Sequence, residues 1–496
     1  MHHSQRPLAE RCGLHDAERE RAVQQLLRRI EAGGIQQVRL MWCDVHGMTR
    51  GKTLMPQALR SALMDGLGMV STLMLKDTSD RTAWKVFEAH GTDGLDGFGA
   101  ANNLMLLADP HSWVELPWAP GTGWLRCQPW FADGTAVPLD TRRVLQQALA
   151  RLAQQGWGLR CGLEVEFHIY RIRNAQAALD PAVADWPGLP PEVELIHPGY
   201  QLLGEAWADL ADEALGIVRD TACALGLPLA SLEIELGPSQ VEAVFAASDA
   251  LAAADQMVLF RNGVRQALRR RGYHASFMCR PPFARIMSSG WHLHHSLVRR
   301  DDGTNLMRRD APASGSTADD ALHTLSDPGA QWLAGLLAHA RGMAVFCTST
   351  ANGYGRFQPN MLAPCAAVWG RDNRGAMLRV VGEAGDVATR IENRIGEPAA
   401  NPYLYIAAQI HAGLDGIARG LSAPAATRSP YQPGLPALPT SLSEALDALS
   451  QDAALIEGFG RAFTDYHQRI KRSEAERRAA AADTLDFDRR EYFSRI

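Results

Sequence analysis

Four short segments of the chain place ionisable side chains at every second position. In GLEVEFHIY, Glu164, Glu166, His168 and Tyr170 alternate with Leu163, Val165, Phe167 and Ile169. In SLEIELGPSQVE, Glu233 and Glu235 alternate with Leu232, Ile234 and Leu236. SGWHLHHSL carries His292 and His294 at that spacing, and TRIENRIG carries Arg390, Glu392 and Arg394. Side chains alternate across a β-strand, so each segment predicts a strand with one ionisable face. A single such strand is an ordinary solvated sheet face. Four of them in one domain specify more. Several carboxylates with an imidazole suit hard divalent cations, and arginines suit phosphate oxygens. The chemistry on offer is therefore reaction of a phosphorylated substrate at a site that holds two cations.

The surrounding elements must bring those strands together. A helical lead from Glu18 to Glu31 stops at Gly33-Gly34, and IQQVRLMWCDVHGMTRGKTL predicts two strands with a turn near His46-Gly47. Short strands and turns continue to about residue 135. Asp140 then caps TRRVLQQALARLAQQG, after which helices separate short strands. This divides the chain into domains 1–135 and 136–496. Residues 175–191, 301–319 and 422–439 are polar, glycine- or proline-rich surface loops, and the tail SEAERRAAAADTLDFDRREYF predicts an exposed helix. With 496 residues, 46% apolar and 21% charged, the composition suits a two-domain globular protein. A net charge of −5 without a basic patch argues against nucleic acid and membrane surfaces. No stretch has the length of a spanning helix, and the charged N-terminus lacks the apolar core of a signal peptide. The eight cysteines are scattered with no CxxC pair, which predicts reduced thiols in a cytoplasmic protein.

GLEVEF, ELGPSQVE, SGWHLHHSL, NGYGRFQP, WGRDNRGAMLRV and RIENRIGEPAANPYL occur in the order of the signature blocks of glutamine synthetases, and the chain resembles that superfamily over nearly its whole length. The resemblance implies an α+β protein. It has an N-terminal β-grasp domain and a catalytic domain whose curved antiparallel sheet is flanked by helices. It implies a homo-oligomer of stacked rings, a dodecamer, with active sites shared between neighbouring subunits. It also implies ATP and two or more Mg²⁺ or Mn²⁺ ions per site. On matching positions, Glu166, Glu235 and Glu242 correspond to ligands of the metal nearer glutamate. Glu164, His292 and Glu392 correspond to ligands of the metal nearer the nucleotide. His294 matches the histidine that touches the ATP phosphates. Arg374, Arg379 and Arg390 match arginines that hold and balance those phosphates. Arg356 and Arg394 match the pair that grips the glutamate carboxylates, and all three of Arg374, Arg356 and Arg394 count as catalytic. Tyr200 corresponds to a tyrosine lining the amine pocket. Of the remaining groups, His168 stands beside the metal ligands, Glu233 is a flanking surface carboxylate, and His295 faces the other way.

Departures from the family pattern bear on the amine. Ammonia-using members bind ammonium with a flap glutamate and an aspartate from a neighbouring N-terminal domain. Here Leu362 stands at the glutamate position, and Met69 or Val70 at the aspartate position. Met287 and Ser288 replace an asparagine-glycine pair, and Trp291 replaces a methionine. A desolvated cation needs paired charge, so these changes remove the ammonium site. They add apolar surface, worth ~25 cal/mol per Å² buried, for the carbon atoms of a larger amine. The implied reaction joins L-glutamate to a small organic amine, aromatic or alkyl, as in γ-glutamylanilide and γ-glutamylalkylamide synthetases. An ammonia-using glutamine synthetase, a γ-glutamylpolyamine synthetase, a kinase of related fold and an inactive scaffold are the alternatives.

Overall fold

The computed structural model describes residues 6–176 and 179–496. The first five residues, part of the charged N-terminus, and residues 177–178 of the 175–191 loop lie outside them. After the helix Ala17–Glu31, capped by the Asp16 carboxylate on Arg19 N–H, come β1 (Gln37–Cys43) and β2 (Thr49–Leu54). Val38, Leu40 and Trp42 of β1 alternate into the core. The turn between them is organised by Asp44, whose Oδ1 accepts the His46 and Met48 N–H groups at 3.0 and 2.9 Å. Gly47 takes φ 77° there, and a Cβ would lie 2.5 Å from the Arg261 guanidinium, so the position needs glycine. Further strands β3 (Leu67–Val70), β4 (Asn103–Ala108), β5 (Val114–Glu115) and β6 (Thr122–Trp130) complete a six-stranded sheet of order β2-β1-β6-β4-β3, with β5 on β6. Its β1–β6 pair is parallel.

The second sheet is built around β7 (Trp157–Asn174), eighteen residues long. The other members are β8 (Glu192–Leu195), β9 (Leu229–Ile234), β10 (Gln240–Asp249), β11 (Tyr273–Ser276), β12 (Trp291–Arg299), β13 (Trp369–Arg371), β14 (Leu378–Val381) and β15 (Arg390–Gly396). The order is β13-β14-β15-β12-β7-β10-β9, with β8 and β11 on the far half of β7. Every pair is antiparallel except β13–β14, a parallel edge. Leu163, Val165, Phe167 and Ile169 are buried on one face. There Phe167 stacks on Phe277 at 4.8 Å and meets Phe260 of the helix Ala250–Arg270 edge-on. The helix Pro402–Ala418, buried along nearly its whole length, crosses the helix Asp327–Ala338 at Gly335 and Gly416, where a Cβ on either would strike backbone.

The C-terminal tail corrects an expectation. It forms the helices Arg461–Ala479 and Thr484–Asp488 and a final turn Arg489–Phe493, but it is exposed only in part. Glu474, Glu491, Tyr492 and Phe493 are fully buried. Its charges have internal partners that a one-dimensional pattern conceals. Arg477 pairs with Asp77 at 2.9 Å and with Glu491, Arg478 pairs with Asp488 at 2.7 Å, and the Thr78 and Ser79 hydroxyls donate to Glu491. The tail thus docks onto the loop after β3. Among the described residues no helix is long and apolar enough to cross a membrane.

Candidate active site

Strand register converts the alternating residues into one belt across the second sheet. His292 lies opposite Glu164, Glu242 opposite Glu166, and His294 opposite Glu392. Oxygens of Glu166, Glu235 and Glu242 lie within 4.8 Å of one another. His292 Nδ1 is 3.4 Å from Glu164, 3.7 Å from Glu392 and 3.9 Å from Glu242. The six residues matched to metal ligands therefore converge, in three overlapping groups in which Glu164 and Glu242 are each shared by two.

The electrostatics of this belt suit cations. Burial, followed by the charge of Glu166, pushes Glu235 and Glu242 well above the usual carboxylate range. Burial works the same way on Glu164, but hydrogen bonds from His292 and His294 outweigh it and hold the group well below that range. Glu392, also opposed by burial, is drawn to about 2 by His292 and Arg394. His292 Nε2 is buried without a hydrogen-bond partner. Crowded, half-desolvated carboxylates beside a free imidazole nitrogen are the donor set of a hard divalent ion, and the residues fit one. His294 differs. Arg390 Nε donates to its Nδ1 at 3.0 Å, so the neutral ring carries its proton on Nε2, 2.9 Å from Glu164. In that tautomer His294 presents an N–H at Nε2, and its ring also lies close enough to Glu164 and Glu392 for the three to hold a metal ion.

Two residues not singled out from the sequence complete the carboxylate belt. Gln240 Nε2 donates to Glu166 at 3.0 Å, and the Gly290 N–H donates to the same oxygen at 2.8 Å. Gln240 also reaches Ser289, which lies 3.3 Å from His168 Nδ1, so His168 touches the belt only through that chain. Gln240 is two residues before Glu242 on one strand, and alternation was the available signal. Glu233 is not a flanking surface group. It lies opposite Glu242 on β9, half-buried, with the Ser231 hydroxyl donating at 2.8 Å.

Arg356 and Arg394 are buried beside the belt. Arg356 Nη1 donates to the Arg394 carbonyl at 2.8 Å, and Arg394 pairs with Glu392 and reaches the Leu362 carbonyl at 3.4 Å. Arg379 is committed to Glu392 at 2.9 Å and Asp372 at 2.8 Å. Arg374 is exposed on the turn between β13 and β14, apart from the belt. Tyr200 and Leu362 are exposed at 55% and 57%, and the Tyr200 hydroxyl donates to the Arg285 carbonyl. Met287 packs against Gly237 near Gln240. Trp291 corrects the reading of the amine pocket. It is fully buried on the opposite face, edge-on to Tyr405 at 5.1 Å, because it precedes His292 in the same alternation. Met69 is buried in the first sheet's core, whereas Val70 is partly exposed. His295 also faces away, accepting from Trp332 Nε1 at 3.1 Å. Beside Glu164, His294 and Arg390 opens a cavity of about 400 Å³ that Arg160, Ser296 and Asn305 also line.

A family model described as the glutamine synthetase catalytic domain matches residues 138–490. The chain is 37% identical over 490 residues to gamma-glutamylanilide synthase of an Acinetobacter species, spanning 95% of this chain and 96% of the relative. It is 28% identical over 477 residues to gamma-glutamylethanolamide synthetase of Streptomyces coelicolor, spanning 96% of each. A solved structure described as apo GmaS without ligand superposes with a TM-score of 0.74 at 27% identity, over 94% of this chain and 98% of that one.

Proposed function

The chain belongs to the glutamine synthetase family, and we propose that it joins the γ-carboxylate of L-glutamate to an organic amine, giving a γ-glutamylamide, ADP and phosphate. The observation that carries the choice of amine is Leu362, which puts an apolar side chain on the loop beside Arg394. The names of the two curated relatives, an anilide and an ethanolamide synthetase, support the same class. Aromatic amines are favoured, with small alkylamines next.

The reaction balances in two steps. The glutamate γ-carboxylate oxygen attacks the terminal phosphorus of ATP, forming γ-glutamyl phosphate and releasing ADP. The amine nitrogen then attacks the acyl carbon, phosphate leaves, and the nitrogen loses a proton. Two divalent cations, Mg²⁺ or Mn²⁺, held by Glu166, Glu235 and Glu242 and by Glu164, His292 and Glu392, supply charge neutralisation for phosphoryl transfer. The 400 Å³ cavity is read as the nucleotide pocket, with His294 Nε2–H and Arg390 facing the phosphates and Arg374 and Arg379 balancing them. Arg356 and Arg394 take the glutamate carboxylates, as planar donors suited to carboxylate forks. An aromatic amine is uncharged at neutral pH and needs no carboxylate to remove a proton before attack, so leucine at 362 suffices. Exposed Tyr200 and Leu362 support completion of the amine pocket by a neighbouring subunit, in a ring assembly such as a dodecamer. The free cysteines support a cytoplasmic setting.

The test is amide formation, followed by mass spectrometry and ADP release, with ATP, Mg²⁺ and glutamate plus aniline, isopropylamine, ethanolamine, putrescine or ammonium. Activity with ammonium equal to or above that with every organic amine would overturn the reading.

A further inference from the structure

The helix Ala250–Arg270 carries a second cluster of charge on the sheet face opposite the carboxylate belt. Its Phe260 packs on Phe167 and Phe245, whose neighbours in the alternation point the other way. Arg261, Arg265 and Arg269 recur every fourth residue and share one stripe of the helix, with Arg270 beside them. All four line a cavity of about 650 Å³, closed on other sides by the β1–β2 turn and by residues 494–496.

Like charges at this spacing repel, and burial adds to the cost. Burial brings Arg261 and Arg265 down to about 10, with Arg261 contributing to the effect on Arg265. Their donors go to carbonyls. Arg261 donates to Pro398 and Ala400 at 2.8 and 2.9 Å, and Arg265 to Ser494 and Arg495 at 2.7 Å each. Arg269 and Arg270 are exposed and, among the described residues, their guanidinium groups have neither a hydrogen bond nor an ion pair. No acidic side chain lines the cavity among those residues. The backbone oxygen of Ile496 on its wall accepts from the Phe277 N–H at 3.1 Å. Carbonyl dipoles satisfy the geometry of a guanidinium but leave its charge in place. Apolar walls at Leu189, Val258 and Phe277 lower the screening of the two buried guanidinium groups, Arg261 and Arg265.

We infer that this cavity is a second anion-binding site, separate from the carboxylate belt, for a multiply charged anion presenting phosphate or carboxylate oxygens. Arg261 and Arg265 supply fixed charge, and Arg269 and Arg270 are the free forks that grip the ligand. The volume lies in the usual range for small-molecule sites. Arg261 also braces the loop that follows β15, the strand of Glu392 and Arg394.

Pyrophosphate and citrate, titrated calorimetrically without metal ions into the full chain, provide the test. The same titrations are run on the double variant Arg269→Ala/Arg270→Ala and on Arg390→Ala, which alters the cavity beside the belt. The expected result is that at least one anion binds the unaltered chain and Arg390→Ala alike, and binds the double variant about tenfold or more weakly, as loss of charged hydrogen bonds implies. Binding of pyrophosphate alone assigns phosphate recognition, and of citrate alone carboxylate recognition; either supports the site. The inference is overturned if neither anion binds, or if binding is lost in Arg390→Ala and kept in the double variant. It is equally overturned if the double variant changes assembly size with anion affinity unchanged, since the arginines would then be a subunit contact.

Discussion

Glu166 accepts from Gln240 and from the Gly290 N–H, so one of its oxygens is fixed and the other faces the carboxylate belt. Glu164 sits between His292 and His294 and belongs to two of the three groups of candidate ligands. Replacing Glu164 or Glu166 by alanine is expected to lower ATP-dependent amide formation by on the order of 100-fold or more, with the fold retained by circular dichroism. Retained turnover in Glu164→Ala would remove the belt from the chemistry. Leu362 makes the opposite kind of prediction, a gain. The variant Leu362→Glu restores a carboxylate beside Arg394 and should raise the rate with ammonium relative to aniline by on the order of tenfold or more, read from competing-substrate product ratios. An unchanged ratio would separate the loop from amine selection.

Two contacts between elements carry stability predictions. His339 ends the helix Asp327–Ala338 and lies 2.8 Å from Asp415 on the helix Pro402–Ala418 and 2.8 Å from Asp452, which caps the helix Ala453–Phe459. Burial lowers the affinity of its ring for a proton, but hydrogen bonds to the two carboxylates outweigh this and raise its pKa above the usual value. A group raised in the folded state contributes its stability in full below the unfolded value, near 6.5, and loses it as pH rises through the folded value. Thermal midpoints of the unaltered chain should therefore fall from pH 6 towards pH 9 more steeply than those of His339→Gln. Parallel profiles would assign the pH dependence elsewhere. The docked tail supplies the second case. Arg477→Leu leaves Asp77 and Glu491 buried without their cation, which costs about 3 to 5 kcal/mol. The urea midpoint should drop accordingly, and a drop within error would mean that Thr78, Ser79 and solvent satisfy Glu491.

At the scale of the whole molecule, the belt, Arg394 of β15 and the 400 Å³ cavity belong to one sheet face, whereas Tyr200, Met361 and Leu362 stand exposed in a single chain. An active site shared between subunits predicts that light scattering finds assemblies of many chains. It predicts further that dilution to single chains abolishes amide formation while the far-ultraviolet circular dichroism persists. Full specific activity from single chains would show that one subunit suffices.

Alternation along β7, β9, β12 and β15 made the ionisable faces legible in the sequence, because the two-residue period of a strand is a local property of the backbone. The same period placed His295 away from His292 and His294, and applied to Trp291 and Gln240 it would have moved the first out of the amine pocket and set the second beside Glu242. Asp140 and Asp16 as helix caps, and Gly47 at a tight turn, are equally local. Register is not local. Which carboxylate faces which, and therefore that Glu233 joins Glu242 and that Glu164 is shared by two groups, depends on pairing between strands far apart in the chain. The tail shows the same limit. Its alanines and arginines have the composition of a solvated helix, and only its docking against Asp77, Thr78 and Ser79 turns those charges inward. Residue types and their period determined which groups could act; long-range packing decided which of them meet, because burial and charge pairing depend on neighbours that the chain brings together only when folded.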